Sequence, residues 1–322
     1  MSNANGPRVP HGSVNESPGA RFRRVMDEAR AKKLAVATPG AFNALCARAI
    51  ARHGFQACYV SGAATSVSAG VPDVGLLTME HFCRVIREVA DGSGLPVLAD
   101  ADTGFGEAEM VRRTVIEYAR AGGAGLHLED QKFPKRCGHL DGKELVSLDH
   151  MVEKVDWARK ASDAVTERRS DGGVRARGDF VICARTDAKG VEGFDAAVAR
   201  AKAYVAAGAD MIFPEGLTSE DEFNRFADAI LSVSSGTYLL ANMTEFGKTP
   251  LIPLAKFGAM GYACVIYPVS LLRVAMGAVD RALAQLKADG SVEGFIRQMQ
   301  TRQQLYDLVE YKPGVPWEFR AS

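Results

Sequence analysis

The chain predicts an α/β fold, a (β/α)8 TIM-type barrel with extra C-terminal helices, on three observations. From about residue 33, eight short apolar runs recur, most of them ending in a polar residue. Longer amphipathic stretches separate them. The 322 residues suffice for eight such units, and no linker of shifted composition interrupts the series.

In chain order the predicted strands are KLAVAT, FQACYVS, LPVLADAD, AGLHLED, DFVICART, DMIFPE, TYLLANM and YACVIYP. They are rich in β-formers and nearly continuous in apolar residues, which means burial on both faces and hence a parallel sheet covered by helices. Between them run helical patterns such as GEAEMVRRTVIEYARAG, SLDHMVEKVDWARKASDAV and DAAVARAKAYVAAG, the last with a glycine stop. ERRSDGGVRARGD (167–179) reads as a polar loop before the fifth strand. SVEGFIRQMQTRQQLYDLVEY reads as an extra helix after the eighth unit, with PGVPWEF a coil beyond it. Residues 1–30 read as a polar, flexible tail, and 31–322 as one barrel domain with a helical extension.

Composition narrows the function. Lys+Arg 39 balances Asp+Glu 39, so the clustered basic excess that nucleic-acid binding needs is missing. No apolar run approaches the roughly 18 residues that span a bilayer. The N-terminal stretch has no apolar core, which argues against a secretory signal; its arginines leave a transit peptide as the alternative to a disordered tail. Cys46, Cys58, Cys83, Cys137, Cys183 and Cys264 are scattered, mostly within apolar patterns, as reduced core cysteines are. A cytosolic, reducing compartment is expected.

Barrel active sites lie at the C-terminal ends of the strands. The polar residues there are Tyr59, Ser61 and Gly62, then Asp100 and Asp102, Glu129 and Asp130, Arg185 and Asp187, Glu215, and Asn242 and Thr244. Nearly every strand thus ends in a group able to bind an anion or a metal. Asp100 and Asp102 stand two apart, so on an extended strand both face the same side and repel unless a cation or proton lies between them. With Glu129 they form an all-oxygen set that suits Mg2+ better than zinc. The plainer alternative is that Asp102 caps the following loop while Asp100 pairs with Arg185.

KRCGH, Lys135–His139, places two cations, a thiol, a glycine and an imidazole side by side. As a zinc knuckle it lacks a second ligand pair. As a catalytic thiol it is coherent, because Lys135, Arg136 and His139 would favour the thiolate of Cys137 and Gly138 would allow a tight turn. A solvated basic loop is the remaining reading.

Taken together, KRCGH, LADADTGFG, LHLEDQ, ARTDA, FPEG and ANMTEFGKTP resemble the isocitrate lyase/phosphoenolpyruvate mutase superfamily over roughly residues 33–310. The phosphonate-forming mutases lack a cysteine in this loop. Isocitrate lyases more often read KKCGH and are much longer, so the resemblance is to the branch acting on a methyl-substituted isocitrate. It implies a Mg2+-dependent retro-aldol cleavage of methylisocitrate, a tricarboxylate, to pyruvate and succinate in propionate breakdown. It also implies a homotetramer that exchanges its final helices, cytoplasmic or, in a eukaryote, in the mitochondrial matrix. By the same resemblance Ser61, Gly62 and Ala63 would bind the nascent pyruvate; relatives often carry a second glycine where Ala63 stands. Asp73, Asp100, Asp102 and Glu129 would hold Mg2+. Arg185 would neutralise the pyruvate end, and Glu215, Asn242 and Thr244 would fix the succinate end. Lys135, Arg136, Gly138 and His139 would line the substrate, Cys137 would be the general acid, and Tyr59 is the preferred base. Sibling reactions on 2,3-dimethylmalate, isocitrate or oxaloacetate are the alternatives, and a non-enzymatic scaffold is disfavoured by the intact acidic set. The tail VPWEFRAS is shorter and less acidic than in the bacterial relatives.

Overall fold

A computed structural model describes residues 16–136, 142–167 and 178–317. Its strands are β1 Val36–Pro39, β2 Cys58–Val60, β3 Val97–Asp100, β4 Gly125–Glu129, β5 Val181–Thr186, β6 Met211–Pro214, β7 Tyr238–Asn242 and β8 Cys264–Tyr267. Each lies within one of the apolar runs, except that β1 extends one residue past its run to Pro39. Its helices are α1 Pro18–Ala31, α2 Ala44–Arg52, α3 Gly62–Ser68, α4 Met79–Ser93, α5 Ala108–Arg120, α6 Leu148–Glu167, α7 Phe194–Ala206, α8 Glu220–Leu231, α9 Leu254–Ala259, α10 Ser270–Asp289 and α11 Arg302–Leu308.

All strand pairs are parallel, in the order β1-β8-β7-β6-β5-β4-β3-β2. A parallel bridge between Gly40 and Tyr59 closes the ring, with the Ala41 N–H donating to the Tyr59 carbonyl at 2.8 Å. Gly40 is needed at this seam: a Cβ there would lie 2.1 Å from the Pro268 carbonyl oxygen.

The period of two sorts the strand residues into two apolar clusters. Cys58, Val60, Val97, Ala99, Leu126, Leu128, Ile182, Ala184, Ile212, Leu239, Ala241 and Val265 join the cluster under the helices. Tyr59, Leu98, Val181, Cys183, Met211, Phe213, Leu240, Cys264 and Ile266 fill the barrel interior. Continuing the inward register up each strand reaches Asp100, His127 and Glu129, Arg185, Glu215 and Asn242. The site set therefore follows from strand alternation.

Two expectations are revised. The folded chain begins well before residue 31, because α1 starts at Pro18 with Ser17 as its N-cap. Phe22 and Met26 are fully buried in the interior cluster with Val36, Met211 and Tyr238 at the strands' N-terminal ends, so α1 plugs the bottom of the barrel. Arg23 pairs with buried Asp210 at 2.8 Å, and the Tyr238 hydroxyl donates to Asp27. The sparse apolar residues of this segment fall on one helical face, which its arginines obscure. The expected single extra helix is instead a 3-10 turn, Glu293–Gln298, followed by α11. Thr301 and Gln304 form a capping box that restarts the helix there.

Along α10 only Leu272 is buried, while Val274, Met276, Val279, Leu283 and Leu286 are exposed. No helix among the described residues is long and apolar enough to cross a membrane. The described cysteines (46, 58, 83, 183 and 264) are all free thiols.

Candidate active site

At the C-terminal mouth, Tyr59 of β2, Asp100 of β3 and His127 of β4 form one buried group. The Tyr59 hydroxyl lies 2.7 Å from His127 Nε2, and the two rings stack at 5.8 Å. Asp100 and His127 are register partners, with Nδ1 3.7 Å from Asp100 Oδ1. Burial lowers the His127 pKa to about 4, so the ring is neutral at pH 7. The phenol of Tyr59 is pushed above its ordinary value by burial and by the Asp100 carboxylate.

Asp100 organises the backbone around it. Its Oδ2 accepts from the Gly62 N–H at 3.0 Å and its Oδ1 from the Asp102 N–H at 2.9 Å. A Cβ at Gly62 would sit 2.6 Å from Asp100 Oδ2 and 3.3 Å from Asp102 Oδ1, so glycine alone fits. Ser61 caps α3, accepting from the Ala64 N–H at 3.2 Å, and Ala63 follows in its first turn. The two aspartates do face the same side, through a turn rather than an extended strand: Asp102 has φ 47 and lies past the end of β3.

Lys135 stands between the acids. Its Nζ is 2.5 Å from Asp73 Oδ1 and 2.8 Å from Asp102 Oδ1, with the lysine side chain buried. The Asp102 contact is an ion pair that lacks hydrogen-bond direction. Burial and the neighbouring Asp100 charge push the Asp102 pKa up to about 6, against the pull of Lys135. Burial opposes ionisation of Asp100 too, but His127, Lys135 and Arg185 outweigh it and hold its carboxyl below the usual range. One carboxylate is thus kept charged while its neighbour is left close to taking a proton. The plainer reading of the sequence, in which Asp100 pairs with Arg185, is not what forms; Glu129, Asp187 and Glu215 take that role.

Glu129, the register partner of Arg185, is fully buried with neither oxygen accepting a hydrogen bond among the described residues. Burial drives its pKa well up, although Arg185 Nη1 lies 3.3 Å away. A buried carboxylate in this state calls for a proton or a cation. With Asp73, Asp100 and Asp102 it forms a donor set of hard oxygens, whose chemistry fits a divalent cation such as Mg2+. Among the described residues no three such ligands already converge at metal-holding spacing, and Lys135 is the counter-cation to Asp73 and Asp102.

Arg185 carries the opposite side of the mouth. It grips Asp187 with Nε to Oδ2 at 2.9 Å and Nη2 to Oδ1 at 3.1 Å, reaches to 3.6 Å from Glu215, and lies over the Phe213 ring. Glu215 accepts from Asn242 Nδ2 at 3.2 Å and from the Gly216 N–H at 2.9 Å. Asn242 Oδ1 is buried without a hydrogen bond among the described residues, and Thr244 is buried two residues beyond. The Gln131 side chain holds the Arg136 backbone in both directions, at 2.9 and 3.0 Å. Cys137, Gly138 and His139 lie outside the described residues.

Sequence reasoning left His127, Asp187 and Lys143 without roles. His127 shares the inward register with Glu129, two residues on, and that spacing was the available signal. Lys143, whose Nζ is 2.7 Å from Asp187, offered none, because a lysine in a polar loop reads as solvated.

The fold and this charge-dense mouth define a barrel enzyme of carboxylate chemistry. The family model for phosphoenolpyruvate phosphomutase matches residues 27–287, and the chain belongs to that family. It is 50% identical over 292 residues to a protein named probable 2-methylisocitrate lyase 1 from Corynebacterium glutamicum, covering 91% of this chain and 90% of that one. A 2-methylisocitrate lyase of Aeropyrum pernix is 43% identical over 296 residues, 92% of this chain and 88% of the other. Among solved structures, a 2,3-dimethylmalate lyase superposes with TM-score 0.80 at 35% identity, covering 91% of both chains. A phosphonopyruvate hydrolase in complex with oxalate and Mg++ superposes with TM-score 0.75 at 29% identity, covering 91% of this chain and 94% of that one.

Proposed function

We propose that this chain is a 2-methylisocitrate lyase, cleaving a carbon–carbon bond of 2-methylisocitrate to give pyruvate and succinate. The observation that carries the reading is its 50% identity, over nine-tenths of both chains, to a protein of that name. The geometry supports it through a mouth in which Arg185, Lys135 and Lys143 meet several acids. The 2,3-dimethylmalate lyase neighbour makes cleavage of that smaller acid the second reading.

The substrate's tertiary hydroxyl gives its proton to the Tyr59 oxygen as the Tyr59 proton passes to neutral His127 Nε2. The carbon–carbon bond breaks, the oxygen becomes the carbonyl of pyruvate, and the electron pair moves into the other fragment beside its carboxylate. Cys137 supplies the proton that completes succinate. Arg185 neutralises the pyruvate carboxylate with Ser61, Gly62 and Ala63 beside it, and Glu215, Asn242 and Thr244 position the succinate end. Arg136, Gly138 and His139 hold the substrate's remaining charge. Asp73, Asp100, Asp102 and Glu129 would hold Mg2+, which supplies charge neutralisation to the pyruvate oxygens when bound. We further infer a cytoplasmic homotetramer joined through its C-terminal helices, a reading that the exposed apolar side of α10 supports.

The test is 2-oxo-acid release, pyruvate from 2-methylisocitrate, 2,3-dimethylmalate or oxaloacetate and glyoxylate from isocitrate, measured in parallel, with and without a chelator. Preference for 2-methylisocitrate and loss of turnover on chelation are expected. Preference for another acid overturns the substrate assignment, and undiminished turnover in chelator overturns the cation. In the same assay Cys137→Ser should lose on the order of 10²–10⁴ in rate.

A further inference from the structure

The carboxylate that orients Arg185 is itself held by a second cation. Arg185 and Asp187 stand two apart on the inward side at the end of β5. Asp187 takes the side edge of the guanidinium through Nε and Nη2. That leaves the end of the fork, the outer N–H groups of Nη1 and Nη2, pointing to the Glu129 and Glu215 side. Lys143 Nζ lies 2.7 Å from Asp187 Oδ1 and is buried with it. The Asp187 backbone is fixed as well: its N–H donates to Asp130 Oδ1 at 2.9 Å. The other Asp130 oxygen accepts from Thr186 Oγ1 at 2.7 Å and from the Tyr204 hydroxyl at 2.8 Å.

We propose that Asp187 is a positioning residue that aims Arg185 at the substrate's carboxylate, and that Lys143 holds Asp187 in that role. The proposal rests on Arg185 being the carboxylate ligand. Two facts argue for it over a plain structural ion pair. Glu129 has two oxygens accepting no hydrogen bond among the described residues, and it lies 3.3 Å from Nη1, so an Arg185 freed from Asp187 would close onto Glu129 with hydrogen bonds instead of presenting its outer N–H groups to a ligand. In addition, three carboxylates around one guanidinium would repel an incoming anion, and Lys143 neutralises the one that does the aiming. A bidentate grip fixes both plane and direction, which a single contact does not.

The experiment measures oxalate binding by calorimetry and steady-state turnover of 2-methylisocitrate for the wild type, D187N, R185K, their double variant and K143M. Loss of the charged bidentate grip should raise the oxalate Kd and the KM of D187N by about tenfold, with kcat falling less. Within the R185K background D187N should add little, because a lysine has no fork to aim. K143M should weaken oxalate about threefold, within the range of a single buried hydrogen bond. A folded D187N with oxalate affinity within about twofold of wild type overturns the proposal, as does an undiminished effect in the R185K background. If D187N does not fold, K143M carries the test, and unchanged oxalate binding there overturns it. A wild type that binds oxalate but does not cleave 2-methylisocitrate sinks the substrate assignment alone, and the oxalate series still decides the role of Asp187. A wild type that binds no oxalate overturns the premise and the proposal together.

Discussion

The Tyr59 hydroxyl and His127 Nε2 stand 2.7 Å apart in a site where both side chains are buried, and burial keeps the imidazole neutral. In the tautomer that carries its N–H on Nδ1, the nitrogen 3.7 Å from Asp100, the neutral ring leaves Nε2 free to accept. The phenol therefore has a route for its proton without first ionising, which its raised pKa opposes.

Tyr59→Phe removes that route while keeping the ring that stacks on His127. Its pyruvate-release rate should fall on the order of 10²–10⁴. His127 would lose a partner, at a cost of about 1–3 kcal/mol in stability. Activity close to wild type in Tyr59→Phe would remove the pair from the proton path. Rate and thermal stability measured on one preparation separate the two effects.

Asp102 gives a pH dependence whose sign is fixed by the direction of its shift. Its pKa is about 6 in the fold against 3.8 for an ordinary aspartate, so between those values the folded chain binds more protons than the unfolded one. This group's contribution to stability therefore declines as pH rises through 3.8 to 6. His127 works in the opposite direction between its folded value of about 4 and its ordinary 6.5, because there the unfolded chain takes the proton. Asp102→Asn removes only the first effect. Relative to wild type its denaturation midpoint should improve progressively from pH 4 to pH 7. A difference that stays flat with pH would show that Asp102 titrates at its ordinary value. Any cation held by Asp102 should also bind more weakly as pH falls below about 6, through proton competition.

Most of the barrel was legible because its strands are buried on both faces. KLAVAT through YACVIYP are apolar at both alternate sets of positions, the pattern of a parallel sheet covered by helices, and the amphipathic stretches between them supply those helices. The site residues were legible as far as strand alternation carries them: Tyr59, Asp100, Glu129, Arg185, Glu215 and Asn242 each cap an inward register. Their pairing was not, because it depends on neighbours far apart in sequence. Lys135 meets Asp73 across 62 positions and Lys143 meets Asp187 across 44. No local rule separates a lysine bound for a buried carboxylate from one bound for solvent. The α1 plug was hidden for a similar reason, since the burial of Phe22 and Met26 needs the open bottom of a barrel to fill.

That plug sets a stability prediction. Phe22 is fully buried among the interior residues. Phe22→Ala should destabilise the barrel by about 3–5 kcal/mol, by lost transfer energy plus a cavity. Chemical denaturation should show the loss as a lower midpoint with an unchanged slope. A mutant within about 1 kcal/mol of wild type would mean that α1 rests on the barrel without stabilising it.

The last prediction concerns α10. A 20-residue helix with one buried side chain and a series of exposed apolar ones does not bury enough to hold itself against a barrel. Val279 and Leu283 are 43% and 59% exposed, four residues apart, and so share one face of the helix. If that face docks on another subunit, Val279→Glu with Leu283→Glu places two like charges within the contact. The assembly should then dissociate to smaller species by light scattering, with its midpoint of unfolding becoming lower and dependent on protein concentration. In a free monomer the same two substitutions would lie in water and change neither mass nor midpoint. An unchanged mass would therefore reject the inferred contact through α10, and would leave the barrel and its mouth as described.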